Sequence, residues 1–569
     1  MESSNSFNYI FRRYPLFRVL FLVLILGVIV ASILFVNYRI KPIPEIESIV
    51  PPVGAPGDVV IINGKNFGDS RNMSYVEFSG SKLTSSSYIS WSDTQIKLVL
   101  PANVCDGLVV VGTKDSRSKP SLFANEVDIP VPVTTYVQST KPVISDVSSK
   151  KFKVGDLITI RGNNFGESRN KSKVLFTMDY NNKIVESDVK NINLLTENMI
   201  EANENEFDYL SWSNTEIELY VPDGISSGIL YVDTGKEKSE ALYYTLDNTV
   251  GSKTFTNKKI YLMEYTADIA DVVTSDTATI TLRCPLPSVY SLQPKLEITD
   301  VNPSPILMNY QKDLIHQVVR SKSSNSKSLF NQTFVLTVYE LKSNVNIDKV
   351  TPYKNINPAI LENALKADSF NPCDNQNILE LCLKIVGREK NPYKKAKLIY
   401  DYMCDNYKIL KNNRKGDADP LDMLKSKKGD AYDFAVIYTT LLRAADIPAY
   451  TDAGVLVGQD FVTQVHWWSE FYLEGFGWVP VDTALGAGLE YNKWNEGKNE
   501  DSREYYFGNL DSHHITFSRG WNWLKPFSQD NKIVQQPRSF ALQSIWEEAS
   551  NSTVKYSSYW SVPVIKGLY

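Results

Sequence analysis

Gly429-Asp430-Ala431-Tyr432-Asp433-Phe434-Ala435, His466-Trp467-Trp468-Ser469-Glu470 and Gly477-Trp478-Val479-Pro480-Val481-Asp482 are the three short runs on which the reading of this chain turns. From Ala431 onward, Phe434, Ile437, Tyr438, Leu441 and Leu442 recur at helical spacing, so a helix starts at Ala431 and ends before Asp446-Ile447-Pro448. Two strands follow, at 449–457 and 467–473, and a third at 478–481. The turn Gly475-Phe476-Gly477 returns the third strand, and Asp482 with it, beside the strand of His466. Helical spacing also runs through 359–367, 378–386 and 392–403, with Pro392 placed at a helix start. Helices followed by three strands make an α+β unit.

These runs resemble the transglutaminase-like superfamily core, a papain-like fold. There Gly-x-Cys-x-Asp-x-Ala carries a nucleophile, His-x-Trp-x-Glu a base, and Gly-Trp-x-x-x-Asp an orienting carboxylate. The run Arg443-Ala444-Ala445-Asp446-Ile447-Pro448-Ala449 is similar to the family's Arg-Ala-x-Gly-Ile-Pro-Ala, and 506–511 and 517–520 are similar to its closing segment. The resemblance implies a catalytic triad of Cys, His466 and Asp482, but Ala431 stands at the thiol position. A thiol at a helix start is activated by the unpaired N–H groups and an adjacent imidazole. The histidine shuttles the proton, and the carboxylate fixes its tautomer. A methyl group has no lone pair, so the expectation is a site without cysteine-type turnover. The alternative is an acyl-transfer enzyme that uses His466 and Asp482 with another nucleophile, Cys404 first among them. If the site only binds, Trp467, Trp468, Trp478 and Tyr432 are its expected aromatic lining.

Upstream, the chain repeats itself. Gly64-Lys65-Asn66-Phe67-Gly68 returns 98 residues later as Gly162-Asn163-Asn164-Phe165-Gly166. Ser90-Trp91-Ser92-Asp93-Thr94 returns 121 residues later as Ser211-Trp212-Ser213-Asn214-Thr215, so the second copy holds about 23 more residues, placed around 181–208. Short alternating runs between glycine-rich turns make each copy an antiparallel sandwich, with Gly64, Gly68, Gly162 and Gly166 at turn positions of positive φ. The signature resembles the IPT/TIG family of immunoglobulin-like domains, which implies spacer or binding modules without catalytic residues.

Residues 19–36 form an uncharged apolar run, with Arg12, Arg13 and Arg18 before it and Arg39 and Lys41 after. About 18 residues of helix just reach across a bilayer, and the basic excess predicts a cytoplasmic N-terminus with the bulk of the chain extracytoplasmic. The full expectation is a cytoplasmic segment 1–18, a signal-anchor helix 19–36, sandwiches at 43–138 and 139–248, and a further β domain at 249–350. The transglutaminase-like domain would take 351–520, and a tail without assigned role 521–569.

A chain of 569 residues is too long for one core. Its net charge of −5, with no basic stripe, gives no case for nucleic acid. Five scattered cysteines form no disulfide framework, although Cys373 and Cys382 could pair across a loop. No Cys-x-x-Cys or spaced histidine set points to a metal, and no cofactor is expected. The expected partners are a peptide, protein or cell-envelope polymer, and the membrane through one helix.

Overall fold

The computed structural model describes residues 15–39, 43–102, 107–114, 116–125, 141–178, 199–309, 313–368, 370–416, 418–492 and 501–569. Helix α1 spans Pro15–Arg39, with side chains described at 15, 16 and 18–32. Among the described residues no helix is long and apolar enough to cross a membrane.

Each repeat is a two-sheet sandwich of the same topology. In the first, Glu45–Val50, Val59–Lys65, Gln95–Val99 and Tyr88–Trp91 lie side by side in that order, facing a second sheet built around Gly107–Gly112. The second copy repeats this with Val143–Val147, Leu157–Asn163, Glu216–Tyr220 and Tyr209–Trp212. Most of its extra residues fall outside those described.

The duplicated motifs touch one another, which explains why both recur. Phe67 and Phe165 are buried in their cores. Each backbone carbonyl there accepts the indole N–H of the matching tryptophan, Trp91 at 3.1 Å and Trp212 at 3.2 Å. Gly68 and Gly166 have φ near +90°, and their N–H groups donate to Asp93 and Asn214. Gly64 and Gly162 depart from the expected role. Their φ is ordinary, but an added Cβ would lie 1.9 Å from the carbonyl oxygen of Glu45 or Val143. There glycine permits close strand approach, and Asn66 and Asn164 take the left-handed conformation beside it.

The β domain is discontinuous in sequence. Two long strands, Gly251–Thr274 and Ser328–Val345, pair antiparallel and carry Lys295–Asn302 on one edge. The other edge is covered by Thr553–Trp560 and Val564–Leu568, while Glu547–Ala549 joins Ala278–Pro285 in the second sheet. The unassigned tail therefore completes this domain rather than hanging from the last one.

In the transglutaminase-like unit, α2 (Gln376–Val386), α3 (Pro392–Asn406) and α4 (Ala431–Ala444) pack together. They lie against a four-stranded sheet of β1 (Ala449–Val457), β2 (Thr463–Leu473), β3 (Gly477–Val481) and β4 (His514–Arg519), in the order β3-β2-β1-β4. The cores are not insulated. Trp468 packs in the core of the second sandwich, and Arg519 pairs with Glu206 across the same boundary. Cys373 and Cys382 are free thiols.

Candidate functional site

Helix α4 begins as its sequence requires. The Asp430 side chain caps it by accepting from the Asp433 N–H at 3.0 Å, and the Asp433 carboxylate reaches back to the Asp430 N–H at 3.0 Å. This reciprocal box satisfies the first free donors of the helix. Ala431 is the first residue inside it and is 2% exposed. The Tyr432 ring meets Trp467 at 5.3 Å, and the Ser469 hydroxyl donates to the Ala435 carbonyl at 3.1 Å. The helix thus runs along β2, the strand that carries His466.

Two arginines neutralise the two helix-head carboxylates. Arg414 grips Asp433 with Nε and one terminal nitrogen, both at 2.7 Å. Arg538 comes from far along the chain to place one nitrogen 2.7 Å from both Asp430 oxygens and another 2.6 Å from Asp433. Its guanidinium also lies 4.2 Å from the centre of the Tyr432 ring. Burial and Asp433 push the Asp430 carboxyl up, while Arg538 pulls it down.

His466 and Asp482 meet, as the motif spacing predicts: His466 Nε2 is 2.5 Å from Asp482 Oδ2. Asp482 ends the turn after β3 and caps the short helix Thr483–Gly486, its other oxygen accepting from the Leu485 N–H at 2.8 Å. Nε2 is thereby committed to the carboxylate, which leaves Nδ1 as the ring nitrogen for proton transfer.

A second histidine, missed in the sequence reading, shares this carboxylate. His514 Nε2 lies 3.1 Å from the same Asp482 oxygen, and its Nδ1 lies 2.8 Å from Asp511. Asp511 in turn accepts from the Tyr506 hydroxyl at 2.8 Å and the His513 N–H at 3.0 Å. Burial opposes charge on His514, but Asp511 and Asp482 outweigh it and hold its pKa up to about 9. Burial likewise disfavours both carboxylates as anions, yet the histidines hold them well below the usual range. The spacing Asp511-x-x-His514 was the available signal, since a four-residue return can bring those side chains together. His466, Asp482 and His514 are also the described residues able to hold a metal ion, with one ligand atom of each within 4.8 Å of the others.

The expected aromatic lining is corrected. Trp467 and Trp468 are fully buried, and Trp478 and Tyr432 are nearly so. Trp467 packs under α4. Trp468 stacks with His466 at 6.1 Å and enters the second sandwich's core. Trp478 stacks on Tyr450 at 4.7 Å. Trp467, Trp478 and Tyr432 fill space within the transglutaminase-like unit and Trp468 fills the boundary with the second sandwich, so all four serve as packing. Glu470 is also buried: this pushes its carboxyl up to about 7, against the pull of Arg519, which it meets at 2.5 Å.

A helix packed on a four-stranded sheet, with a paired His and Asp, follows twin sandwiches along the chain. Residues 380–483 match the transglutaminase-like superfamily, and residues 44–124 and 142–233 match the IPT/TIG domain. The chain therefore carries a transglutaminase-like core behind two IPT/TIG domains. It is 30% identical over 202 residues to an uncharacterized protein of Haemophilus influenzae, covering 30% of this chain and 54% of that one. It is 28% identical over 121 residues to a cyclomaltodextrin glucanotransferase of Paenibacillus macerans, covering 21% of this chain and 15% of the enzyme. The chain thus spans about half the length of the first relative and a small part of the second. Among solved structures, a candidate cysteine protease of Cytophaga hutchinsonii superposes with a TM-score of 0.33 at 13% identity, over 55% of this chain and 92% of that one.

Proposed function

We propose that this chain is a membrane-anchored binding protein of a cell envelope, whose transglutaminase-like domain does not perform cysteine-type acyl transfer. The observation that carries this reading is the methyl group of Ala431 at the head of α4, where the family's motif has its thiol. No described cysteine offers a substitute. Burial pushes the Cys404 thiol up to about 12 and the Cys382 thiol up to about 11, and raises Cys373 and Cys284 as well. A thiol that stays protonated is a poor nucleophile. Asp430 and Asp433 are each bound by an arginine, so their oxygens are committed to structural contacts. Support for the anchor comes from α1, whose side chains from Val19 to Val30 are apolar apart from Gly27 and largely exposed.

The test is peptide hydrolysis and amine transfer by the full chain, beside Ala431→Cys and the double variant Ala431→Cys/His466→Ala. The starting chain should be silent. Turnover that appears with the thiol and is lost again with His466 would show that substrate reaches the site and that only the sulfur is missing. Turnover by the starting chain that disappears in His466→Ala would overturn the proposal.

A further inference from the structure

A cavity of about 450 Å³ opens where four units meet: the first sandwich (Phe78, Leu83), the second (Glu204, Phe207), the β domain (Ser288, Val289) and the transglutaminase-like domain. Its volume lies in the range of small-molecule clefts, roughly 300–1,000 Å³. Part of the wall is the segment Arg519-Gly520-Trp521-Asn522-Trp523, which leads away from β4.

Charges of both signs on this wall balance in number. Four acids and four bases line the cavity, and every acid has a partner. Asp368 binds Arg443 at 2.9 Å, Glu362 binds Lys366 at 3.2 Å, Glu206 binds Arg519, and Glu204 binds Arg169 at 3.0 Å. The remaining base, Lys82, lies over the Tyr75 ring at 3.9 Å. Except at Lys82, a charged ligand would have to displace one of these ion pairs.

The apolar offer is concentrated in one residue. Trp523 is 55% exposed, unlike the buried tryptophans of the His466 region. It is held edge-on to Trp521 at 5.8 Å, and Trp521 stacks on Phe370 at 5.1 Å, so the exposed ring is braced. Phe370 next meets Tyr432 at 5.8 Å, which ties the cleft mechanically to the head of α4. Side-chain amides of Asn363 and Asn522 add donors and acceptors to the wall. A wall of largely paired charges with amides and a fixed indole suits a ligand that is neutral, rich in hydroxyls and apolar on one face.

We infer that this cleft binds a neutral oligosaccharide, with one sugar ring stacked on Trp523. The inference rests on the binding reading above and gives it a ligand class and a place. It needs no chemistry at His466.

The test is titration of the full chain with maltoheptaose, with cellohexaose, and with a neutral hexapeptide, read by tryptophan fluorescence and calorimetry. One of the two glucans should bind, Trp523→Ala should weaken it at least tenfold, and Trp523→Tyr should retain most of the affinity. Glucan binding that is unchanged in Trp523→Ala would overturn the cleft but leave the binding reading standing. Binding of the hexapeptide alone would overturn the ligand class. Cysteine-independent turnover in the acyl-transfer assay would overturn the binding reading while leaving the Trp523 result to be read on its own.

Discussion

Around Asp482, two imidazoles and one carboxylate are sealed into the protein, with His466, His514 and Asp482 no more than 2% exposed, and the Asp511 carboxylate sits half-buried beside them. At the rim of the cleft, Glu362 and Lys366 also form an ion pair, but their side chains are 68% and 67% exposed. The residue chemistry is similar and the consequences are opposite. In the first region each charge depends on its neighbours, because water cannot replace a lost partner. In the second, water takes over whatever a partner gives up. The family's motif is therefore a packed element of the core, while the exposed ring of Trp523 lies elsewhere. If this contrast is right, substitutions should grade steeply from one region to the other.

The largest effect is expected at Arg538. Arg538→Ala leaves Asp430 and Asp433 buried with Arg414 as their remaining cation among the described residues, a loss of about 3–5 kcal/mol for a broken buried pair. Calorimetric unfolding of the full chain should show the transition of the transglutaminase-like unit lowered by several degrees. A change below about 1 kcal/mol would mean that this network behaves like a surface one, and the contrast would fail.

Next comes His514→Gln, with a signature in pH. The folded-state pKa of His514 is raised to about 9 from an ordinary 6.5. Its charge therefore stabilises the fold fully below about pH 6.5, and that contribution is lost as pH rises through 9. The gap in melting temperature between the starting chain and His514→Gln should be widest near pH 6 and close by pH 10. A gap that is constant across this range would mean that His514 acts through packing alone. Asp482 and Asp511 work in the other direction: their depressed values stabilise the fold above the ordinary carboxylate range and cease to do so as pH falls below it.

The same contrast explains what could be read from the sequence. The start of α4, the three strands and the His466–Asp482 pair follow from local spacing, because the residues that meet are joined by one helix or one turn. The tail was opaque for the opposite reason. Thr553–Trp560 pairs with Gly251–Thr274 almost 300 residues upstream, and its side chains mostly face solvent, so no apolar alternation marks it. Glu547 and Glu548 are fully buried, a placement that polarity argues against until their partners Trp560, Ser528 and Asn531 are known. The aromatic lining failed for a related reason. Tryptophans beside a motif histidine serve equally well to bind a ligand or to seal a boundary between domains, and only the sandwich packed against Trp468 decides between these.

The smallest effect sharpens the comparison most cheaply. Glu362→Gln removes one partner of an exposed i,i+4 pair at the cleft rim, so stability should change by about 0.5 kcal/mol or less. The same substitution frees Lys366 and gives the cleft wall a net positive charge. If the wall's neutrality matters for its ligand, Glu362→Gln should leave the melting temperature unmoved and raise the salt sensitivity of any anionic-sugar binding while neutral glucan binding holds. A large loss of stability would instead place this pair in the same buried regime as Arg538, and the division of the molecule into a sealed knot and an open cleft would no longer stand.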